Sequence, residues 1–164
     1  MCYPLEVHPD FGRFHVSGRP SNDPGPSGRA LRAVELAGLE CRAVRHYYLG
    51  SEHLLAGLVR EAEENGEQAL PGLTPHAVRQ EFVRLIRPGQ VAVEGETPFT
   101  PRVLGVLRFA LEEARGRGDE EIGTDHLLLG LLNLEGGVAA QVLHLLDVDA
   151  DQARARVLAR LSED

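Results

Sequence analysis

The 164-residue chain contains no lysine: all 17 of its basic residues are arginine. That excludes a lysine Schiff base and the phosphate-gripping lysine of a P-loop, whose G-x-x-x-x-G-K-[ST] pattern requires it. Tryptophan is also absent, and aromatic residues make up 5% of the chain against 43% hydrophobic residues in all. A core so rich in Leu, Val and Ala leans helical. Cys2 and Cys41 are the only cysteines, too few and too unevenly placed for a disulfide framework; Cys41 lies in an apolar helical pattern and reads as a core thiol. No stretch approaches 18 consecutive apolar residues and no apolar leader-type run follows the first residue, so no membrane span is expected and the cytoplasm is the expected location. The net charge of -8 argues against non-specific binding to nucleic acid or to an anionic membrane, since both reward basic surfaces.

What the chain does have is a signal that occurs twice. Gly123-Thr124-Asp125-His126 opens an apolar run to Leu132, and Gly50-Ser51-Glu52-His53 opens another to Val59, 73 positions earlier. Each reads as a turn at Gly, a helix N-cap at Ser51 or Thr124, an acid in the first turn, and a buried helix. A doubled signal of this complexity calls for a repeat. Residues 27–60 align with 100–133 without a gap, pairing Arg29 with Arg102, Leu31 with Leu104, Ala37 with Ala110, Glu40 with Glu113 and Arg42 with Arg115. The last helix of each unit aligns at an offset of 75.

The element pattern follows the repeat. Residues 1–26 carry five prolines and form an irregular N-terminal extension; Leu5–Val7 and Phe11–Val16 could be extended, with Phe11 and Phe14 packing on the body, and 18–28 reads as a loop or linker. The first unit, 27–86, has a helix capped by Ser27, a second from Ser51 to Glu64 stopped by Asn65-Gly66, a short third over Glu67–Leu70, and a fourth capped by Thr74 with Val78, Phe82, Leu85 and Ile86 buried. Residues 87–98 are a linker. The second unit, 99–164, has helices from Thr100-Pro101 to Arg117, from Thr124 to Leu134, from Val138 to Leu146, and from Asp149 onward, with Gln152 in capping-box position. The expected fold is all-α: two tandem four-helix units with pseudo-twofold symmetry.

Phe99-Thr100-Pro101-Arg102, Glu112-Glu113-Ala114-Arg115, the Gly123–Leu132 signal and Glu135-Gly136-Gly137-Val138-Ala139-Ala140 resemble the Clp ATPase N-terminal repeat, in the form found at the front of ClpC-type unfoldases. The resemblance covers roughly residues 27–162. It implies a non-enzymatic module without cofactor that binds adaptor and substrate proteins of the ClpC–ClpP protease, phosphoarginine-bearing proteins, or cyclic peptides. With no P-loop the chain is not expected to be an unfoldase itself; it is either a free-standing double repeat or an excised domain, and residues 1–26, which lie outside the resemblance, favour a free-standing protein acting as decoy or regulator, the alternative role being an accessory structural subunit docking on the Clp protease complex. In the family the acid of the signal holds the guanidinium, the start of a repeat's first helix lies near the phosphoryl group, and cyclic peptides bind near the segment matching Phe99 to Arg102. Carried over, the phosphoarginine residues are Thr100, Pro101 and Arg102 with Asp125, and Ser27 and Arg29 with Glu52. Phe99 would line the peptide or macrocycle pocket. The chain departs from the family in having Asp125 for Glu, Ser27-Gly28-Arg29 for Thr-x-Arg, and Leu104 for Lys.

The chemistry of such a site can be argued on its own terms. A phosphoguanidinium sets an anion beside a cation, so it needs a carboxylate and an anion pocket a few ångströms apart. A helix start offers free backbone N–H groups for the anion. Hydrogen bonds to charged groups contribute about 1.5–3 kcal/mol each, enough for a micromolar site if the two halves converge. The plainer reading is that Glu52 and Asp125 merely complement the helix dipole, and that Phe99 staples its helix against Leu104. His53 and His126 lack a second ligand at i+4 and read as structural rather than metal-binding. His46 and His76 read as surface residues, and Glu61, Glu63, Glu64 and Glu67 as a solvated acidic face.

Overall fold

The computed structural model describes residues 23–95 and 97–163, together with the backbone of Leu5–Val7 and Phe14–Val16. Strands β1 (Leu5–Val7) and β2 (Phe14–Val16) form a short antiparallel ladder. After them come β3 (Gly25–Pro26), α1 (Gly28–Ala43), α2 (Ser51–Glu64) and α3 (Pro75–Leu85). The second unit contains α4 (Pro101–Arg117), β4 (Glu121–Ile122), α5 (Thr124–Asn133), α6 (Gly137–Leu145) and α7 (Ala150–Glu163). The all-α, doubled architecture is as expected, with one difference: residues 67–70 are irregular, with bends at 69 and 70, rather than a helix, so seven helices are present among the described residues. Four residues ahead of Pro71-Gly72 are too few to nucleate a helix, yet Leu70 and Leu73 remain buried. Cys2, Phe11 and residues 17–22 lie outside the described residues.

Capping explains where most helices begin. Ser27, Thr74, Thr100 and Asp149 accept from the backbone N–H groups of Ala30, Ala77, Val103 and Gln152, each satisfying a donor that the first turn leaves free. The two signal helices begin otherwise. Their N-caps are Gly50 and Gly123, and Ser51 and Thr124 are already helical. Instead, Nδ1 of His53 and His126 accepts the N–H of Gly50 and Gly123 at 2.9 and 2.8 Å, which is the returning half of a capping box. Ser51, freed of capping, accepts the N–H of Ala139 at the start of α6.

Each signal helix packs closely on the preceding helix. A side chain at Gly57 would strike the backbone of Ala33, and one at Gly130 would lie 2.9 Å from the carbonyl oxygen of Val106. These are matching positions in the two units. The shared core includes Leu54, Leu55 and Phe82 with Leu107, Leu111, Ile122 and Leu127, each at most 1% exposed; burying each such side chain contributes about 1.5–3 kcal/mol. Leu85 and Ile86 depart from the expected buried face of α3: Leu85 is 39% exposed, and Ile86, which ends the helix as its C-cap, is half-buried.

The units are laced together by an exchange of extended segments. β3 pairs in parallel with β4, and Phe99 bridges Leu49 in the same sense. The N–H of Ser27 donates to Ile122 O at 2.9 Å, and the matching N–H of Thr100 donates to Leu49 O at 3.1 Å. Asp23 adds an ion pair to Arg115 at 2.7 Å. Residues 23–28 are therefore docked on the second unit rather than lying in a linker. Most important, the first helix of each unit starts beside the signal of the other.

Candidate ligand clefts at the repeat junction

The exchange decides which candidate residues meet. The expected partnerships were Thr100, Pro101 and Arg102 with Asp125, and Ser27 and Arg29 with Glu52. The structure crosses them: Thr100–Arg102 and Glu52 line one cleft of about 580 Å³, while Arg29 and Asp125 line another of about 230 Å³. Ser27 caps α1 and lies on the wall of neither.

In the larger cleft Glu52 is 6% exposed. Its carboxylate folds back over Gly50, where an added Cβ would lie 2.6 Å from it. Its nearest ionisable neighbour, His53 Nδ1, is 3.6 Å away, too far for a hydrogen bond. Burial pushes the Glu52 carboxyl above the ordinary carboxylate range, against the pull of its own backbone N–H and of His46. A buried carboxylate without a cation is costly, so the cleft is suited to receive one. Arg102 stands on the other side. Its Nη1 donates to Glu135 O at 2.7 Å, and its side chain lies across Gly136 and Gly137, both with left-handed φ of 79° and 82°. Among the described residues no carboxylate pairs with Arg102. At the start of α4, Pro101 has no N–H and the N–H groups of Val103 and Leu104 are taken by Thr100, which leaves the N–H of Arg102 as the unused donor.

The histidines behind Glu52 form a closed relay. Because Gly50 donates to His53 Nδ1, the proton sits on Nε2, which donates to His46 Nδ1 at 2.8 Å; His46 Nε2 then donates to Arg87 O at 2.9 Å. His46 is thus a partner of His53, not a free surface residue. Burial, then the nearby His46, pushes His53 down to about 3, so it is neutral. His46, Glu52 and His53 place ligand atoms within 4.8 Å of one another, but this donor set does not fit a metal: with His53 Nδ1 occupied by Gly50 N–H, coordination at Nε2 would require an imidazolate. In the second unit Asp119 occupies the position of His46 and accepts from His126 Nε2 at 2.7 Å.

The smaller cleft has the same parts with every charge internally matched. Arg160 on α7 grips Asp125 through two hydrogen bonds of 2.7 and 3.2 Å and donates a third to Ala69 O at 3.0 Å. Arg29 donates to Glu61 at 2.6 and 3.1 Å and to Glu67 at 2.9 Å; these contacts raise its pKa, Glu61 first, and hold Glu67 below the usual carboxylate range. Glu61, 1% exposed and also bound by Asn65, is no part of a solvated acidic face. Glu64 pairs with Arg32 but, like Glu63 and Glu67, stays exposed, as expected of a solvated face.

Phe99 packs half-buried against the core and is absent from both cleft walls. Two wall residues of the larger cleft escaped the sequence reading, Tyr47 and Tyr48, 60% and 62% exposed. A signal for them existed: the aligned positions in the second unit are Glu120 and Glu121, so one unit carries an aromatic pair where the other carries an acidic one. Cys41 is buried, donates to the carbonyls of His46 and Tyr48, and is pushed up to about 11 by burial; it is a core thiol, as expected.

The profile of the Clp repeat (R) N-terminal domain matches residues 69–146 and 98–163. The "ATP-dependent Clp protease ATP-binding subunit ClpA homolog" of Porphyra purpurea is 41% identical over 138 residues, 83% of this chain and 17% of that protein. "Chaperone protein ClpC1, chloroplastic" of Oryza sativa subsp. japonica is 39% identical over 137 residues, 82% of this chain and 15% of that protein. The chain thus spans about a sixth of the length of these relatives. The fold is similar to the N-terminal domain of the chaperone ClpD from Arabidopsis thaliana (TM-score 0.75, 23% identity, 84% of this chain and 94% of that one). It is also similar, at a TM-score of 0.51 and 15% identity over 81% of this chain and 86% of that one, to a ClpV N-domain solved in complex with a VipB peptide. No single helix among the described residues is long and apolar enough to cross a membrane. With its doubled signal, its helical core and these matches together, the chain belongs to the Clp repeat N-terminal domain family.

Proposed function

We propose that the chain is a non-enzymatic binding module that captures phosphoarginine-bearing or adaptor proteins destined for a Clp protease, as a decoy or regulator of that machine. One observation carries the reading: a buried Glu52 carboxylate and an Arg102, neither with an oppositely charged partner among the described residues, line the same open cleft. Glu52 supplies the counterion for a guanidinium. Arg102 and the start of α4 supply cationic and N–H donors for the phosphoryl oxygens. Tyr47 and Tyr48 offer π faces on which a guanidinium or flanking peptide can stack. Two charge-assisted contacts at about 1.5–3 kcal/mol each contribute about 3–6 kcal/mol, which corresponds to an affinity between millimolar and tens of micromolar.

A non-catalytic role agrees with the side chains that resemble nucleophiles or bases. Ser51 anchors α6, Cys41 is raised and buried, and both signal histidines cap helices. The relatives' names connect them with ATP-dependent Clp proteolysis, and the ClpV N-domain was solved with a peptide; both favour a protein or peptide partner here. The cyclic-peptide reading attached to Phe99 draws no wall residue from this cleft. We place the chain in the compartment of its Clp machine, which is chloroplastic in the rice relative's name and cytoplasmic in the sequence reading.

Calorimetric titration with phosphoarginine tests the proposal. The unaltered chain binds, Glu52→Ala removes binding, and Asp125→Ala leaves it unchanged. Absence of binding at millimolar ligand, or binding indifferent to Glu52→Ala, overturns it. Capture of a Clp protease core that is equally indifferent to Glu52 would favour the docking-subunit alternative.

A further inference from the structure

We propose that Arg160 is a built-in occupant of the Asp125 cleft, so that the chain presents one guanidinium site rather than two. The inference rests on the reading of Glu52 as a guanidinium acceptor and extends it to the matching cleft.

The two clefts are related by the repeat, and their acids, Glu52 and Asp125, occupy matching positions. Among the differences in their surroundings, one bears directly on a guanidinium: the matching pair near the end of the last helix of each unit. In α7 this residue is Arg160; in α3, at the offset of 75, it is Leu85. Arg160 makes the full set of contacts expected of a bound guanidinium: two parallel hydrogen bonds to Asp125 and a third to the carbonyl of Ala69. Leu85 can make none of these, and among the described residues Glu52 has no cation beside it. A side chain tethered within reach of its acceptor competes at a high effective concentration, of order millimolar or above. A free guanidinium therefore gains the Asp125 cleft only by displacing Arg160 and its three hydrogen bonds. The phosphoryl half of the same cleft is closed too, because Arg29 is already shared by Glu61 and Glu67. A ligand admitted there would be an unmodified arginine side chain rather than a phosphorylated one.

The test uses N-acetyl-L-argininamide and backbone amide NMR shifts, which report the clefts separately through Ser51 and Glu52 or through Thr124 and Asp125. The full chain is compared with Arg160→Leu, which copies Leu85, and with Arg160→Gln; thermal melts verify that each is folded. In the unaltered chain only the Ser51–Glu52 amides are expected to respond. In either variant the Thr124–Asp125 amides also titrate, with affinity at least about tenfold above the unaltered chain's, and adding Asp125→Ala abolishes that second response alone. A second response with Arg160 intact, or none in both variants, overturns the inference while a Glu52 response leaves the first site standing. A second response without any at Glu52 upholds Arg160 as the occupant and sinks the Glu52 site. Silence at both clefts in every protein overturns both.

Discussion

In the cleft that joins Glu52 to Thr100–Arg102, neither charged group has an ion-pair partner of opposite sign among the described residues; in its counterpart, Asp125 holds Arg160 and Arg29 is shared by Glu61 and Glu67. The aligned residue for Glu61 in the second unit is Leu134, and for Arg160 in the first unit it is Leu85. These two differences, with Tyr47 and Tyr48 set against Glu120 and Glu121 and His46 against Asp119, separate an open, charged cleft from a stitched one. A duplicated fold can hold a site in one copy and use the same positions for cohesion in the other. The stitching contributes modestly: partly exposed ion pairs are worth about 0.2–1 kcal/mol each. The open cleft, conversely, leaves a buried carboxylate whose cost a ligand can relieve.

The comparison can be broken most severely by stitching the open cleft. Leu85→Arg places in α3 what Arg160 is in α7, and phosphoarginine affinity measured by calorimetry is expected to fall by about 10- to 100-fold. Unchanged affinity would mean that the matching position does not reach Glu52. Next in size, Arg102→Ala removes the cationic donor for the phosphoryl group. It should weaken phosphoarginine by about tenfold or more yet leave N-acetyl-L-argininamide nearly unaffected. Equal losses for both ligands would place Arg102 on the guanidinium instead.

The smallest expected effect is on stability against pH, and its two parts have opposite signs. His53 titrates near 6.5 when unfolded and at about 3 when folded, so the unfolded state binds more protons between those values. Stability from neutral His53 is fully present above about 6.5 and is lost as pH falls toward 3, at no more than about 1.4 kcal/mol per pH unit. Glu52 is raised by burial, so its contribution is present at low pH and is lost as pH rises through its folded value. Urea unfolding across this range should therefore show a shallower acid slope for His53→Gln. Glu52→Gln should be more stable than the unaltered chain at pH 7, the gain vanishing in acid. A Glu52→Gln variant that is less stable at pH 7 would show that the carboxylate has an internal partner after all.

Much of the fold was legible because its signals are local and occur twice. Ser27, Thr74, Thr100 and Asp149 each announce a helix start, and the 73-residue alignment announces the duplication. The capping of α2 and α5 was misread because Ser51 and Thr124 are good caps by type, whereas the acceptor is a histidine ring three residues after the glycine. The site was half legible. The alignment named Glu52, Asp125, Arg29 and Arg102, but a repeat alignment does not say which copies face each other. That depends on the backbone bonds from Ser27 to Ile122 and from Thr100 to Leu49, which join residues far apart in sequence and carry no side-chain pattern. The same limit hid the pairing of Glu61 with Arg29, since a Glu-rich helix face looks solvated until a partner from another helix covers it.

The central claim is that ligand binding belongs to the cleft shared by Glu52 and Arg102 and not to its stitched counterpart. A crystal structure of the chain soaked with phosphoarginine tests it most directly. The account predicts ligand density between Glu52 and the start of α4, with Arg160 still seated on Asp125. Density against Asp125 with Arg160 displaced, while the Glu52 cleft stays empty, would contradict it.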